Sequence, residues 1–233
     1  MSERKKIVKA VKGHLQYLQE EGITNVRVAR TKKADKNTTT KQSASKKLNK
    51  REAIVALKET TDRCTKCAEL VKNRNNVVFG AGNVSAKLMF IGEAPGRDED
   101  QQGLPFVGRA GQLLTKMIES IGLTRQQVFI ANVLKCRPPK NRNPLPVEIM
   151  NCEPYLLEQL KLIQPHLICA LGTFSAQMLL KSDLPISRLR GQFHDYYGIK
   201  VLPTFHPAYL LRSPSEKRKA WEDMKRIKKE LGL

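Results

Sequence analysis

One stretch, residues 87–114, constrains the fold of this chain more than any other. It opens with the apolar run at residues 88–91, LMFI, which is the length of one buried strand. From Gly92 onward it is rich in glycine and proline, which predicts a loop, and residues 111–121 repeat apolar side chains at helical spacing. The order of strand, glycine-rich loop and helix indicates an α/β fold. In such folds ligands bind beyond the carboxyl ends of the strands, where glycines let the backbone approach them closely.

The loop in this stretch has the composition of a binding loop. It carries one aromatic side chain, Phe106, and a group of four acids, namely Glu93, Asp98, Glu99 and Asp100. Connections of this length are usually functional or disordered, and the density of glycine and proline favours an ordered one. Neither of the glycine-rich phosphate-binding patterns occurs in it, and its acids would repel a phosphate. We therefore predict a site for a different ligand, the alternative being an ordinary long connection.

Three further strands alternate with helices along the chain. The strands are predicted at 128–133, 166–171 and 199–204, and the helices at 146–162, 173–180 and 215–231. This alternation predicts a four-stranded parallel sheet with right-handed crossovers and helices on both faces, a three-layer αβα architecture. The ends of three strands then carry polar residues of interest, Glu93, Asn132 and His206, which should meet at one edge of the sheet.

The chain is strongly basic, with a formal net charge of +20. Such proteins most often bind polyanions, and nucleic acid is the first candidate because each neutralised phosphate releases counterions. A well-solvated surface is the alternative. We find no apolar run of about 18 residues and no signal-peptide pattern. We therefore expect a cytoplasmic protein without a membrane segment.

Half of that charge lies in residues 1–50, which hold 14 Lys or Arg against 4 Asp or Glu. Residues 4–21 have the pattern of an amphipathic helix, and the tract at 30–50 is rich in Lys, Thr and Ser with almost no apolar side chain. We predict a basic extension with a flexible linker over residues 1–50 and a folded domain over residues 51–233. The extension could hold DNA without sequence preference, or it could be a solvated tail.

The cysteines indicate a metal site. Cys64 and Cys67 form a CxxC pair, and Cys136 and Cys152 supply two more thiols. In a reducing compartment such a set predicts zinc or an iron–sulfur cluster, and the spacing leaves both open. A redox-active CxxC is the alternative, although that motif usually begins a helix after a strand. Cys169 stands inside an apolar strand, which indicates a buried, inert thiol.

Residues 51–233 resemble the family-4 uracil-DNA glycosylases, the iron–sulfur branch of their superfamily. The matching motifs are GEAPGRDED at 92–100, GLPFVGRAGQLL at 103–114, KCRPPKNRNP at 135–144 after the strand end with Asn132, and HPAYLLR at 206–212. The resemblance implies a uracil-DNA glycosylase-like three-layer αβα domain and a 4Fe–4S cluster on Cys64, Cys67, Cys136 and Cys152. It also implies removal of uracil from single- or double-stranded DNA. We expect a monomer associated with the nucleoid.

The resemblance assigns roles to individual residues. Phe106 would stack on the uracil, Asn132 would read its O4 and N3–H, and His206 would donate to O2 of the leaving base. The backbone at Gly92, Glu93 and Ala94 would line the pocket. The better-known branch has an aspartate where this chain has Ala94, so placement of the water falls to Glu93 or Glu99. The alternatives are a core role for Phe106, a strand-end cap for Asn132 and a structural histidine.

Two other functions are compatible with parts of this pattern. One is a noncatalytic iron–sulfur DNA-binding module, against which the intact Asn132, Phe106 and His206 argue. The other is an enzyme of the same fold acting on a different deaminated base, such as hypoxanthine, or one that traps the abasic product through a histidine on a basic loop. The loop at 137–146 contains no histidine, which argues against the trapping variant.

Deleting residues 1–50 should weaken DNA binding at low salt and leave catalysis at saturating DNA unchanged, because the lost charges contact phosphates without reading sequence. The slope of log affinity against log salt concentration should become shallower. Binding titrations at several salt concentrations, with the full chain as control, measure this. A loss of folding or of saturated turnover in the shortened protein would place the extension within the catalytic domain.

Overall fold

A computed structural model describes residues 49–233 of the chain. The helix predicted at 4–21 and nearly all of the predicted linker lie outside the described residues. Helix α1 spans Lys50–Asp62. Asn49 caps this helix in a reciprocal box, in which its Oδ1 accepts from the Glu52 backbone N–H and the Glu52 carboxylate accepts from the Asn49 N–H, both at 3.0 Å.

The four predicted strands form a parallel sheet. They are β2 (Leu88–Gly92), β3 (Phe129–Asn132), β4 (Leu167–Leu171) and β6 (Ile199–Thr204). Two short antiparallel strands, β1 (Ala81–Gly82) and β5 (His194–Tyr196), complete a six-stranded sheet of order β1-β3-β2-β4-β6-β5. The predicted strand count of four was therefore wrong. The two edge strands have two and three residues and carry no apolar alternation that could reveal them.

The helices predicted after the four parallel strands are present as α4 (Arg109–Ser120), α5 (Pro146–Ile163), α6 (Thr173–Leu180) and α9 (Lys217–Glu230). Four short helices were not predicted, namely α2 (Ala68–Asn73), α3 (Arg97–Gln102), α7 (Ile186–Leu189) and α8 (Pro207–Arg212). Short 3₁₀ turns occur at Pro139–Asn141 and Pro214–Glu216. Helix α3 was missed by the sequence analysis because it lies inside the glycine-rich loop and is polar along its whole length.

Strand β2 shows why the domain has three layers. Met89 and Ile91 join a core that includes residues of α1, α5 and α6, whereas Leu88 and Phe90 join a core that includes residues of α4 and α9. Side chains alternate across a strand, and here both faces are buried, so the strand is a continuous apolar run. The predicted αβα architecture is confirmed.

The end of β6 is held in place by a buried ion pair. Asp223 of α9 accepts hydrogen bonds from Thr204 Oγ1 at 2.6 Å and from both Arg190 Nε at 3.1 Å and Nη2 at 2.6 Å. The side chain of Asp223 is only 1% exposed. Because a buried charge is tolerated only when it is well paired, this contact ties α9 to the strand that leads to His206.

Across residues 49–233, none of the helices has the length and apolar character needed to cross a membrane.

Candidate active site

A cavity of about 740 Å³ lies at the carboxyl ends of the parallel strands. Its walls come from the segments that follow β2, β3, β4 and β6. The predicted residues that line it are Glu93, Ala94, Glu99, Phe106, Asn132 and His206. Residues far apart in the chain thus meet where parallel strands deliver their ends.

Gly92 was predicted to line the pocket and is not among the residues that line this cavity. The space around it explains why a glycine occupies the position. It pairs with Asn132 across β2 and β3. A Cβ atom at Gly92 would collide with Asn132 Oδ1 and would lie 2.5 Å from Phe106 Cζ. Any side chain here would therefore displace the two groups predicted to read and to stack on the base.

Asn132 carries an unusual buried acceptor. The residue is 1% exposed, and within the described part of the chain its Oδ1 has no hydrogen-bond partner. Leaving a buried polar atom unpaired costs about 1–3 kcal/mol, so such an atom indicates a ligand that satisfies it. The side chain offers that acceptor beside an amide donor.

Phe106 lines the cavity from a constrained backbone. Its φ is +53°, in the left-handed region that a bulky residue rarely adopts, and its ring centroid lies 5.6 Å from that of His206. A Cβ on Gly111 would collide with the Phe106 carbonyl oxygen, so the first turn of α4 packs directly on this backbone. Strain of this kind, when it is held by its surroundings, is typical of binding sites.

The two candidate carboxylates are in different environments. Glu99 accepts hydrogen bonds from the backbone N–H groups of Gly96 at 3.1 Å, Val107 at 2.9 Å and Gly108 at 3.0 Å. It therefore holds the loop that carries Phe106. Glu93 lines the cavity, and burial raises the pKa of its carboxyl group. A raised pKa makes a carboxylate a stronger base, which favours Glu93 for holding a water.

His206 is held as a neutral hydrogen-bond donor. Its Nδ1 accepts from the Ala208 backbone N–H at 3.1 Å, so the proton of the neutral ring is on Nε2. Burial, followed by the charge of Arg212, lowers the pKa of His206 to about 4. Gly172 packs closely against His206, since a Cβ atom at Gly172 would lie only 2.9 Å from His206 Cβ. This close packing restricts movement of the His206 side chain.

The four predicted cysteines surround a second, smaller cavity together with Arg74 and Asn151. Cys136 Sγ accepts from Arg74 Nη1 at 3.1 Å, Cys152 Sγ from the Lys135 backbone N–H at 3.2 Å, and Cys67 Sγ from Asn151 Nδ2 at 3.6 Å. Donors to sulfur stabilise thiolates, which are the form that ligates metals. Cys169 is fully buried in β4, as predicted.

Within residues 49–233, no three metal-ligating side chains are placed to hold a metal ion. The four thiols nevertheless line one cavity. Four cysteine thiolates are a donor set that suits either zinc or an iron–sulfur cluster.

The structure also reveals residues that sequence reasoning missed. Arg142 lines the active-site cavity and forms a two-bond ion pair with Glu148, at 2.6 and 2.9 Å, and a third contact with Glu69 at 2.8 Å. These bonds raise the pKa of its guanidinium. Lys135 is fully buried between the two sites. Their partners lie on other elements, so no sequence pattern indicated these contacts.

Comparison with known proteins identifies the family to which this chain belongs. The sequence profile of the uracil DNA glycosylase superfamily matches residues 79–225. A type-4 uracil-DNA glycosylase of Archaeoglobus fulgidus is 48% identical over 172 residues, which cover 70% of this chain and 86% of that protein. That of Saccharolobus solfataricus is 47% identical over 178 residues, covering 72% and 82%. That of Thermotoga maritima is 44% identical over 181 residues, covering 76% and 94%.

The His206 ring should keep its proton on Nε2 and remain neutral between pH 5 and 8, because its pKa is lowered to about 4. Nitrogen-detected NMR of the imidazole should show protonation only near pH 4. In the urea-unfolded chain the same histidine should titrate near about 6.5. Since the unfolded chain then binds more protons between these two values, the contribution of His206 to stability should fall as the pH is lowered through that window. Titration near pH 6.5 in the folded protein would contradict a buried neutral ring.

Proposed function

The chain belongs to the uracil-DNA glycosylase superfamily, and on this premise we propose that its cavity hydrolyses the N-glycosidic bond of uracil in DNA by means of Asn132, Phe106, His206 and Glu93. It is a DNA-repair enzyme that excises uracil, as the motif resemblance predicted. Its products are free uracil and an abasic site. The observation that carries the residue roles is the unpaired Asn132 Oδ1 in a cavity walled by Phe106 and His206.

The base must leave the DNA stack to reach this cavity. Extruding a nucleotide costs a few kcal/mol, and the pocket has to return that energy by stacking and hydrogen bonding. Phe106 supplies an aromatic face in the cavity wall, and stacking of a base on an aromatic contributes about 1–3 kcal/mol. The hydrogen bonds that Glu99 accepts from the backbone N–H groups of residues 107 and 108 hold this ring ready before the base arrives.

Asn132 distinguishes uracil from cytosine. Its Oδ1 accepts from uracil N3–H while its amide donates to uracil O4. Cytosine presents an acceptor at N3 and a donor at its amino group, so both contacts become repulsive. A buried polar group left without its partner is a strong source of rejection, because Asn132 is 1% exposed and bulk water cannot replace the lost hydrogen bond.

His206 stabilises the departing base. Breaking the glycosidic bond leaves negative charge on uracil, chiefly at O2, and a neutral Nε2–H placed there strengthens its hydrogen bond as the charge develops. With a pKa of about 4 the ring is not an imidazolium at neutral pH. We therefore assign it hydrogen-bond stabilisation of the anion and no role as a charged acid.

Glu93 holds the attacking water. The sugar becomes cation-like as the bond breaks, so a carboxylate nearby stabilises it and orients the water at the same time. Glu93 lines the cavity with a raised pKa, whereas Glu99 is occupied by three backbone donors. Glu99 then serves the reaction by positioning the Phe106 loop.

The four cysteines are the proposed ligands of a 4Fe–4S cluster. Cys64 and Cys67 precede α2, Cys136 follows β3, and Cys152 lies within α5. A cluster bound to all four would cross-link these segments next to the strand that carries Asn132. Its chemistry in this proposal is structural. The similarity to the type-4 enzymes named above and the four thiols around one cavity support this proposal.

The proposed substrate is uracil-containing DNA. Activity on single or double strands, a monomeric state and association with the nucleoid stay predictions. A noncatalytic DNA-binding role would leave the unpaired Asn132 acceptor without a purpose. Hypoxanthine presents the same acceptor and donor pair to that amide, through O6 and N1–H, but it is a larger two-ring base and carries no oxygen corresponding to uracil O2 for His206 to stabilise. Uracil therefore remains the base that suits the pocket best.

Asn132→Asp should lower the single-turnover rate on uracil by roughly 100-fold, about 3 kcal/mol, because the donor to O4 becomes an acceptor. A low rate on cytosine should appear, since the carboxylate can accept from the cytosine amino group. Single-turnover measurements on matched uracil and cytosine oligonucleotides test this. His206→Ala is the matched control, since it should slow uracil release without changing base preference. An Asn132→Asp variant as fast as the parent would mean that the base is read elsewhere.

The purified protein should contain iron and sulfide in equal amounts, about four of each per chain, and should be brown. Chemical analysis of an anaerobic preparation measures both. Cys136→Ser should lose the cluster and, because its loop continues the Asn132 strand, should also lose activity. Cys169→Ser, a thiol change outside the site, is the control and should keep the iron. A protein that contains one zinc per chain and no sulfide would contradict the cluster assignment.

A further inference from the structure

Lys135 is a buried lysine between the two sites. It is 1% exposed, and its Nζ donates to the Asn132 carbonyl oxygen at 2.8 Å and to Gln159 Oε1 at 2.6 Å. Lysine is almost never fully buried unless it is paired. The burial of the Lys135 side chain therefore requires an explanation.

Helix α5 holds residue 135 in two ways. Cys152 and Gln159 are seven residues apart, which is two helical turns, so they share one face of α5. Cys152 Sγ accepts from the Lys135 backbone N–H, and Gln159 Oε1 accepts from its ammonium. The Gln159 amide nitrogen donates to the Phe79 carbonyl at 2.8 Å, which fixes the oxygen toward Lys135.

Both hydrogen-bond acceptors of this ammonium are uncharged. Among the ion pairs of residues 49–233, none includes Lys135. An isolated buried cation is expensive, and its charge must be balanced nearby. Cys136 is the next residue and Cys152 contacts the Lys135 backbone, so thiolates at the cysteine site are the nearest source of negative charge.

We propose that Lys135 is a positioning residue that couples the cysteine site to base recognition, by anchoring the Asn132 carbonyl and by balancing the charge of the thiolate-bound cluster. This inference rests on the proposed function. The carbonyl that it holds belongs to the residue whose unpaired Oδ1 reads the base. A small rotation there would move the amide out of register with uracil O4 and N3–H.

The two proposed roles of Lys135, anchoring the Asn132 carbonyl and balancing the cluster charge, affect different measurable properties. Losing the anchor should slow the chemical step, because the amide is no longer held, and leave affinity for DNA unchanged, because Lys135 is too deeply buried to contact DNA. Losing the charge should make the cluster harder to reduce, since a nearby cation favours the more negative state. A lysine that served packing alone would alter thermal stability and would not shift a reduction potential at full cluster content.

The experiment compares Lys135→Met with Lys161→Met in the full-length, cluster-containing protein. Lys161 lies on the same helix α5, is exposed, and pairs only with Glu158, so its substitution removes the same charge at a neutral position. The measurements are iron and sulfide content, midpoint potential, the single-turnover rate on uracil and the affinity for an abasic-site oligonucleotide. Lys135→Met should be about 10–100-fold slower, with a more negative potential and parental affinity. Lys161→Met should match the parent in all four.

A second variant covers the case in which Lys135→Met does not fold or does not load the cluster. Gln159→Met removes one acceptor and retains the charge, so it should slow uracil release while the potential stays at the parental value. Parental rate and potential in Lys135→Met, or a parental rate in Gln159→Met, would overturn the proposal. A parent protein that releases no uracil would instead refute the proposed function, and the potential shift in Lys135→Met would still test the charge role on its own.

Discussion

The site depends on the parallel pairing of β2 with β3, which sets Gly92 beside Asn132 at the carboxyl end of the sheet. A side chain at Gly92 would collide with Asn132 and with the Phe106 ring, so the absence of one lets these two side chains meet. One backbone register and one missing Cβ therefore shape the part of the cavity in which we propose that the base binds. The other groups are arranged around that contact.

The pocket is built from loops, and hydrogen bonds and ion pairs hold these loops in fixed positions. Glu99 uses its carboxylate to fix the backbone around Phe106, and Arg142 ties the segment after β3 to both α2 and α5. The same two helices border the cysteine site. A cluster there would hold these segments more firmly in place, because segments cross-linked through a common centre cannot move independently. Lys135 adds a direct link from that site to Asn132.

Electrostatics within the cavity suit the formation of an anion from a neutral base. Burial keeps His206 neutral and raises the pKa of Glu93, so the walls hold one neutral donor and one carboxylate of increased basicity. Half of the chain's formal excess of positive charge belongs to residues 1–50. We predict that this extension attracts DNA while the cavity performs the chemistry on the base.

The sequence by itself determined the architecture and predicted which residues read the base. Apolar runs of strand length, such as the one that became β2, predicted the parallel sheet because strands buried on both faces must be continuously apolar. The family resemblance implied the roles of Asn132, Phe106 and His206, and the cysteine pattern predicted a metal site. Tertiary structure alone decided which carboxylate is free, since Glu99 finds its three donors only when the loop folds back on itself. Tertiary structure also decided the contacts of Arg142 and Lys135, because their partners lie on other elements. It likewise decided the two edge strands, because their pairing depends on neighbouring strands and not on any periodicity of their own.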